Sequence, residues 1–159
     1  VLHKRGRRDV CFLLCGNSGN ESAPYEALYA DLGIEDSVRF LGYRTDVLRI
    51  FQSAYCGIIP SSGWDSFTLS SVEMAATGLP IIASRLQGLA EAVQHERTGL
   101  LFEPGNPIAL ADCIERLADD SATARAYGDA GRARCERELT LEAQKRGMLH
   151  AVRRHLPPS

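Results

Sequence analysis

Apolar residues in this chain fall into short unbroken runs closed by glycine, proline or small polar residues, and between the runs they recur at helical spacing. Val10-Cys11-Phe12-Leu13-Leu14-Cys15, closed by Gly16-Asn17-Ser18-Gly19, reads as a strand buried on both faces before a tight turn. A helix is expected from about Ala23 to Leu32, then a second strand over Val38-Arg39-Phe40-Leu41 ending at Gly42. Thr45-Asp46 fits the cap of a helix through Val47, Leu48, Phe51 and Ala54, and Cys56-Gly57-Ile58-Ile59 makes a third strand. Leu69, Val72, Ala76 and Leu79 predict a helix from roughly Thr68 to Thr77, stopped by Gly78, with Pro80 to Ser84 returning as a fourth strand. A short helix over about Leu89 to Gln94 leads to a fifth strand, Gly99 to Phe102. Asn106-Pro107 caps a helix through Ile108, Leu110, Ala111, Ile114 and Leu117. From Ser121 to Leu156 the pattern is a helical tail, with breaks expected near Gly128-Gly131 and at Thr140, itself a suitable cap.

Five apolar strands alternating with helices predict an α/β fold: a doubly wound parallel sheet with helices on both faces. Ligands of such sheets bind beyond the carboxyl ends of the strands. The loops at Gly16-Gly19, Gly42-Arg44, Pro60-Phe67, Ser84-Gly88 and Glu103-Gly105 all fall there, so the most distinctive segments are expected at one rim.

Length and charge narrow the reading. With 159 residues and 45% apolar content the chain suits one domain with a real core. A formal net charge of −2 gives no global attraction to nucleic acid or an anionic membrane, and the basic ends, His3 to Arg8 and Arg153-Arg154-His155, read as solvated. The odd set of five cysteines has no paired CxxC spacing, and Cys11, Cys15 and Cys56 sit in apolar runs where thiols act as small hydrophobes. A reducing, cytoplasmic compartment is expected, with no signal peptide or membrane-spanning stretch. The abrupt start, a basic turn leading straight into a strand, is what a piece excised from a longer protein shows.

The chemistry concentrates between Pro60 and Pro80. Asp65 and Glu73, with seven residues between them, flank the start of the predicted helix, and the amides around Ser66, Phe67 and Thr68 are expected to be unpaired donors at its positive end. Such a mouth suits a pyrophosphate or sugar hydroxyls, although many helix starts bind nothing. Glu73 suits paired hydrogen bonds from ribose hydroxyls; equally, Ser70-Ser71-Val72-Glu73 matches a capping box in which Glu73 only reaches back to an amide. Asp65 suits a donor sugar or a positive charge developing at its anomeric carbon, or else a local Asx-turn. Trp64, the only tryptophan, reads as a stacking surface or as an apolar wall for the loop, and Gly16 as a close-approach point or a turn glycine. The four histidines have no metal-ligand spacing, so no structural metal is expected. No GxGxxG follows the first strand, and neither a P-loop nor a GxSxG elbow occurs, so nicotinamide, NTP-hydrolysis and serine-hydrolase chemistry lose support.

Pro60-Ser61, Asp65-Ser66-Phe67-Thr68-Leu69, Glu73-Met74-Ala75, Gly78 to Ser84, Gln87-Gly88, Glu91 and Thr98-Gly99-Leu100-Leu101 together resemble a known pattern. The chain resembles the C-terminal, nucleotide-sugar-binding half of the retaining glycosyltransferases of family 4, glycosyl transferases group 1, whose GT-B fold has two Rossmann-like domains. Their hallmark is a Glu, seven residues and a second Glu. Phe12 to Gly16 and Val38 to Gly42 are similar to upstream strands of that domain, so the likeness runs from about Val10 to Leu117, and the helical tail is compatible but less diagnostic.

The resemblance implies that Glu73 binds ribose, that Asp65 stands at the catalytic position holding the donor sugar, and that the amides of Ser66, Phe67, Thr68 and Leu69 meet sugar hydroxyls and the diphosphate. It implies too that Gly16 lines the donor cleft and that Arg39 and Phe40 lie in the segment contacting the base, largely through backbone groups. Departures are Asp65 for Glu, shorter by one C–C bond of about 1.5 Å, Ser66 and Thr68 for glycines, and Gln87 for the first of a Gly-Gly pair. The family's Arg and Lys that grip the diphosphate lie upstream of the first strand. A full-length protein of this kind transfers a hexosyl group from a nucleotide-diphosphate sugar with retention and no obligatory metal or other cofactor, in polysaccharide synthesis, with peripheral membrane association as a further expectation. This chain alone, lacking the N-terminal acceptor domain, is expected to bind donor weakly and not to turn over. Competing readings are a non-catalytic scaffold with a decayed donor site, and an epimerase or phosphorylase domain of the same architecture.

Overall fold

The computed structural model describes residues 1–16 and 22–155; the Asn17-Ser18-Gly19 part of the predicted first turn and Leu156 of the tail lie outside them. The chain divides into two compact units, Val1–Ile50 and Phe51–Ser159.

In the first unit β1 (Phe12–Cys15) and β2 (Val38–Gly42) form a two-stranded parallel ladder, with Leu13 opposite Arg39, Leu14 opposite Phe40, and a bulge that brings Cys15 opposite Gly42. The crossover is α1 (Ala23–Leu32), which begins with Pro24 in its first turn, where a missing N–H costs nothing, and ends at Gly33 with φ 61°. The fully buried first strand is corrected here: Leu13 and Leu14 are 45% and 38% exposed, and Cys11 and Cys15 are exposed as well. Within the first unit, among the described residues, β1 pairs with β2 and α1 has no buried residue. Asp46 starts α2 (Val47–Ser53) through its carbonyl, which accepts from the amides of Arg49 and Ile50. Its carboxylate takes both branches of the Arg44 guanidinium at 2.8 and 2.7 Å.

The second unit holds β3 (Gly57–Ile59), β4 (Ile81–Ser84) and β5 (Gly99–Phe102) in a parallel sheet of order β3-β4-β5. Helices α3 (Leu69–Ala76), α4 (Gln87–Ala92), α5 (Pro107–Asp119), α6 (Ser121–Glu138) and α7 (Leu141–His155) complete it. Every residue of β4 and β5 is buried, which is why both read as unbroken apolar runs. Ile82, Leu89, Val93, Leu100 and Leu117 are the largest fully buried apolar side chains, each contributing about 1.5–3 kcal/mol of burial. The Asn106 carboxamide caps α5 by accepting from the amides of Ile108 and Ala109, and Ala111, Ile114 and Leu117 turn inward at helical spacing.

The α/β class stands, with parallel sheets flanked by helices, a two-stranded one in the first unit and a three-stranded one in the second. The expected break at Gly128-Gly131 is absent, since α6 runs through both. A Cβ on Gly128 would lie 2.0 Å from the carbonyl oxygen of Gly78, so this glycine lets α6 press onto the chain end of α3 and does not interrupt it. Thr140 caps as expected, its hydroxyl accepting from the Ala143 amide at 3.1 Å ahead of α7.

Candidate functional site

The loop from β3 to α3 is held by its own polar groups. One carboxylate oxygen of Asp65 accepts from the Ser61 hydroxyl at 2.5 Å and the other from the Ser66 amide at 2.8 Å. The Asp65 carbonyl receives the Gly88 amide at 3.4 Å. Asp65 therefore fastens the loop on three sides, and the Ser66 amide, expected to be free, is used within it.

Thr68 is the N-cap of α3: its backbone is extended (φ −73°, ψ 139°) and its hydroxyl accepts from the Ser71 amide at 3.3 Å, while the Ser71 hydroxyl donates back to the Thr68 carbonyl at 2.6 Å. That cap decides the position of Glu73. Counting from Thr68, the third helical residue is Ser71, so the Ser70–Glu73 capping box does not form, and Glu73 sits in the second turn. At 3.6 residues per turn it lies about 200° around the helix from Ser71, away from the buried face of Ser71 and Ala75 and one turn beyond the exposed Leu69. Among the described residues its carboxylate makes no hydrogen bond or ion pair. The amides of Thr68, Leu69 and Ser70 are likewise uncommitted among the described residues, at the positive end of the helix dipole.

Ser66 and Thr68, where the resembled pattern has glycine, need no unusual backbone, because Glu96 is the one described non-glycine residue with positive φ. The glycine that matters is Gly88. A Cβ there would lie 2.2 Å from the Phe67 nitrogen and 2.3 Å from the Ser66 carbonyl carbon, so only glycine lets the start of α4 abut the loop. Its place in the Gln87-Gly88 pair was the sequence signal for it. The far end of α4 is fixed by Arg134 of α6, whose side chain is only 13% exposed and whose guanidinium donates to the carbonyls of Ala92 and Glu91 at 2.5 and 2.9 Å and to Glu138 at 3.0 Å. Beneath α3, a void of about 10 Å³ lined by Phe67, Ser71, Val72 and Arg134 has room for one water at most. Trp64 is 79% exposed and walls nothing, which corrects that reading.

Gly16, Arg39 and Phe40 belong to the first unit. Gly16 has φ 119°, and its amide donates to the Gly42 carbonyl at 3.0 Å; a Cβ would meet open space, so conformation rather than crowding demands glycine. Phe40 stacks on Tyr29 with centroids 5.7 Å apart and rings 17° from parallel. Together with Leu14, Cys15 and Tyr25 these rings line a groove of about 340 Å³. Arg39 is exposed, as its alternate position in β2 requires. Burial pushes the Cys15 thiol up, with Arg44 pulling against it, so the groove presents a neutral thiol at neutral pH.

The family model of glycosyl transferases group 1 matches residues 1–120. A D-inositol 3-phosphate glycosyltransferase of Corynebacterium diphtheriae is 35% identical over 135 residues, covering 82% of this chain and 31% of that protein. Among solved structures, sucrose-phosphate synthase from Thermosynechococcus elongatus is similar at 34% identity and TM-score 0.77, over 87% of this chain and 37% of its own. Anabaena HepE in complex with UDP shares the fold at 22% identity and TM-score 0.82, over 91% of this chain and 42% of its own. The chain thus spans about a third of the length of the curated relatives it matches. With three quarters of its residues inside the family model and glycosyltransferases among its relatives, this chain belongs to the glycosyl transferases group 1 family.

Proposed function

We propose that this chain is the donor-binding, C-terminal half of a retaining GT-B glycosyltransferase of family 4, which as a longer cytoplasmic protein transfers a hexosyl group from a nucleotide-diphosphate sugar to an acceptor. The observation that carries the reading is the mouth of α3. Three uncommitted amides, Thr68 to Ser70, stand between a fastened Asp65 and a Glu73 carboxylate with no protein partner among the described residues. An ionised carboxylate offers two acceptors to a pair of ribose hydroxyls, and helix-start amides suit the diphosphate or the sugar's hydroxyls.

In this reading, charge developing on the leaving diphosphate is stabilised by the α3 terminus and by the cationic side chains that the resemblance places before the first strand, without an obligatory metal. The same diphosphate assists deprotonation of the acceptor on the face it leaves, which gives retention. Asp65 sits beside the anomeric carbon, where its fixed charge favours the cationic transition state. The acceptor comes from a domain outside this chain, so the chain alone binds donor without turning it over. The roles of Gly16, Arg39 and Phe40 in this reading rest on the resemblance alone.

One observation favours a second reading, a non-catalytic module with a decayed site: both carboxylate oxygens of Asp65 already accept bonds from its own loop. Saturation-transfer NMR with UDP-, GDP- and ADP-sugars separates the two. The donor-binding reading requires ribose and diphosphate contacts with one of them, lost in Glu73→Ala while the fold persists. Contacts with none of them would leave the scaffold reading.

A further inference from the structure

We propose that Trp64 is a stacking platform for a pyranose ring at the mouth of α3, an inference that rests on reading that mouth as a nucleotide-sugar site. Trp64 is the only tryptophan of the chain and stands 79% exposed, although an indole can bury about 150–250 Å². The loop that carries it is not loose. Its neighbour Asp65 is tied through its carboxylate to Ser61 and Ser66 and through its carbonyl to Gly88, so the indole projects into solvent from a fastened backbone. A rigid loop holding a large aromatic surface in water is arranged for a ligand rather than for the core.

The chemistry around the indole selects the ligand class. A pyranose presents hydroxyls along its edge and C–H groups on its face. The edge needs donors and acceptors, which the uncommitted amides of Thr68, Leu69 and Ser70 and the spare lone pairs of Asp65 supply. The C–H face needs apolar carbon, which Trp64 offers with the exposed Phe67 and Leu69 close by in sequence. Trp64 would then help decide which sugar is held, while Glu73 holds the nucleotide.

The test uses the single indole N–H signal that one tryptophan gives. The chain is titrated with UDP, GDP and ADP and with UDP-glucose, GDP-mannose and ADP-glucose, and the signal is followed beside the amides of residues 68–70. Stacking predicts that a nucleotide sugar moves the indole and its matched nucleotide does not. Trp64→Ala should weaken binding of that sugar nucleotide about tenfold and of the bare nucleotide by less than about twofold, with Trp64→Phe restoring most of the loss. Movement of the indole by methyl α-D-glucopyranoside alone also supports the platform and assigns it to an acceptor ring; movement only by the sugar nucleotide assigns it to the donor. An indole that moves equally with the bare nucleotide is a base-stacking residue, and one that stays still with every nucleotide sugar and with the methyl glucoside while the 68–70 amides move touches no sugar; either overturns the proposal. If no ligand moves any of these signals, the nucleotide-sugar reading of the mouth has failed and this inference falls with it.

Discussion

Asp65 carries two demands at once. Its carboxylate fixes the loop through Ser61 and Ser66, and in the proposed reaction its charge faces the anomeric carbon. Asp65→Asn separates them, because the amide oxygen still accepts a loop bond while the charge is gone. In the longer enzyme this variant should slow transfer at least about 100-fold, the scale of losing one preorganised electrostatic group, with thermal unfolding little changed; wild-type rates would remove Asp65 from the chemistry. A second residue reports on packing. Burial pushes the Cys56 thiol from 9.0 up to about 11. Since the folded pKa lies above the unfolded one, the folded state keeps its proton while the unfolded chain loses it. The contribution of Cys56 is therefore complete below pH 9 and is lost as pH climbs toward 11. Urea unfolding at pH 8 and pH 10.5 should show a smaller loss of stability with pH for Cys56→Ala than for the wild type.

Among the elements, those set by local chemistry were legible in the sequence. Pro24 and Gly33 bracket α1, which runs Ala23–Leu32 as its pattern predicts, and β5 is Gly99–Phe102 because buried central strands read as unbroken apolar runs. The errors arose where a distant neighbour decides. Thr68, not Ser70, caps α3, and no feature of Ser70-Ser71-Val72-Glu73 by itself separates those registers. Gly128 and Gly131 read as helix breakers because propensity is local, whereas the contact that requires Gly128 comes from Gly78 on another element. Their substitutions should differ in sign. Gly131→Ala places a Cβ at an ordinary 3.6 Å from Ala75 and should stabilise α6 by up to about 1 kcal/mol. Gly128→Ala drives a Cβ to 2.0 Å from a backbone oxygen and should destabilise by about 1–3 kcal/mol, read by chemical denaturation.

At the scale of the whole molecule, apolar runs announce strands but not their partners, since pairing is set by contacts far apart in the chain; hence a parallel α/β class was legible, and the strand order inside each unit was not. The likeness to group 1 glycosyltransferases runs from about Val10 to Leu117, and at the start of α3 the structure adds what sequence could not state: which amides are used, which are open, and that Glu73 is not a cap. The site reading therefore stands or falls on whether those open amides and that carboxylate meet a diphospho-sugar. The most direct measurement is amide chemical-shift mapping of the chain with UDP-, GDP- and ADP-sugars, in the wild type and in Glu73→Ala. The donor-binding reading predicts shifts at Thr68, Leu69 and Ser70 that saturate with one donor and vanish in the variant; saturating shifts confined to other segments, or none at all with any donor, would contradict it.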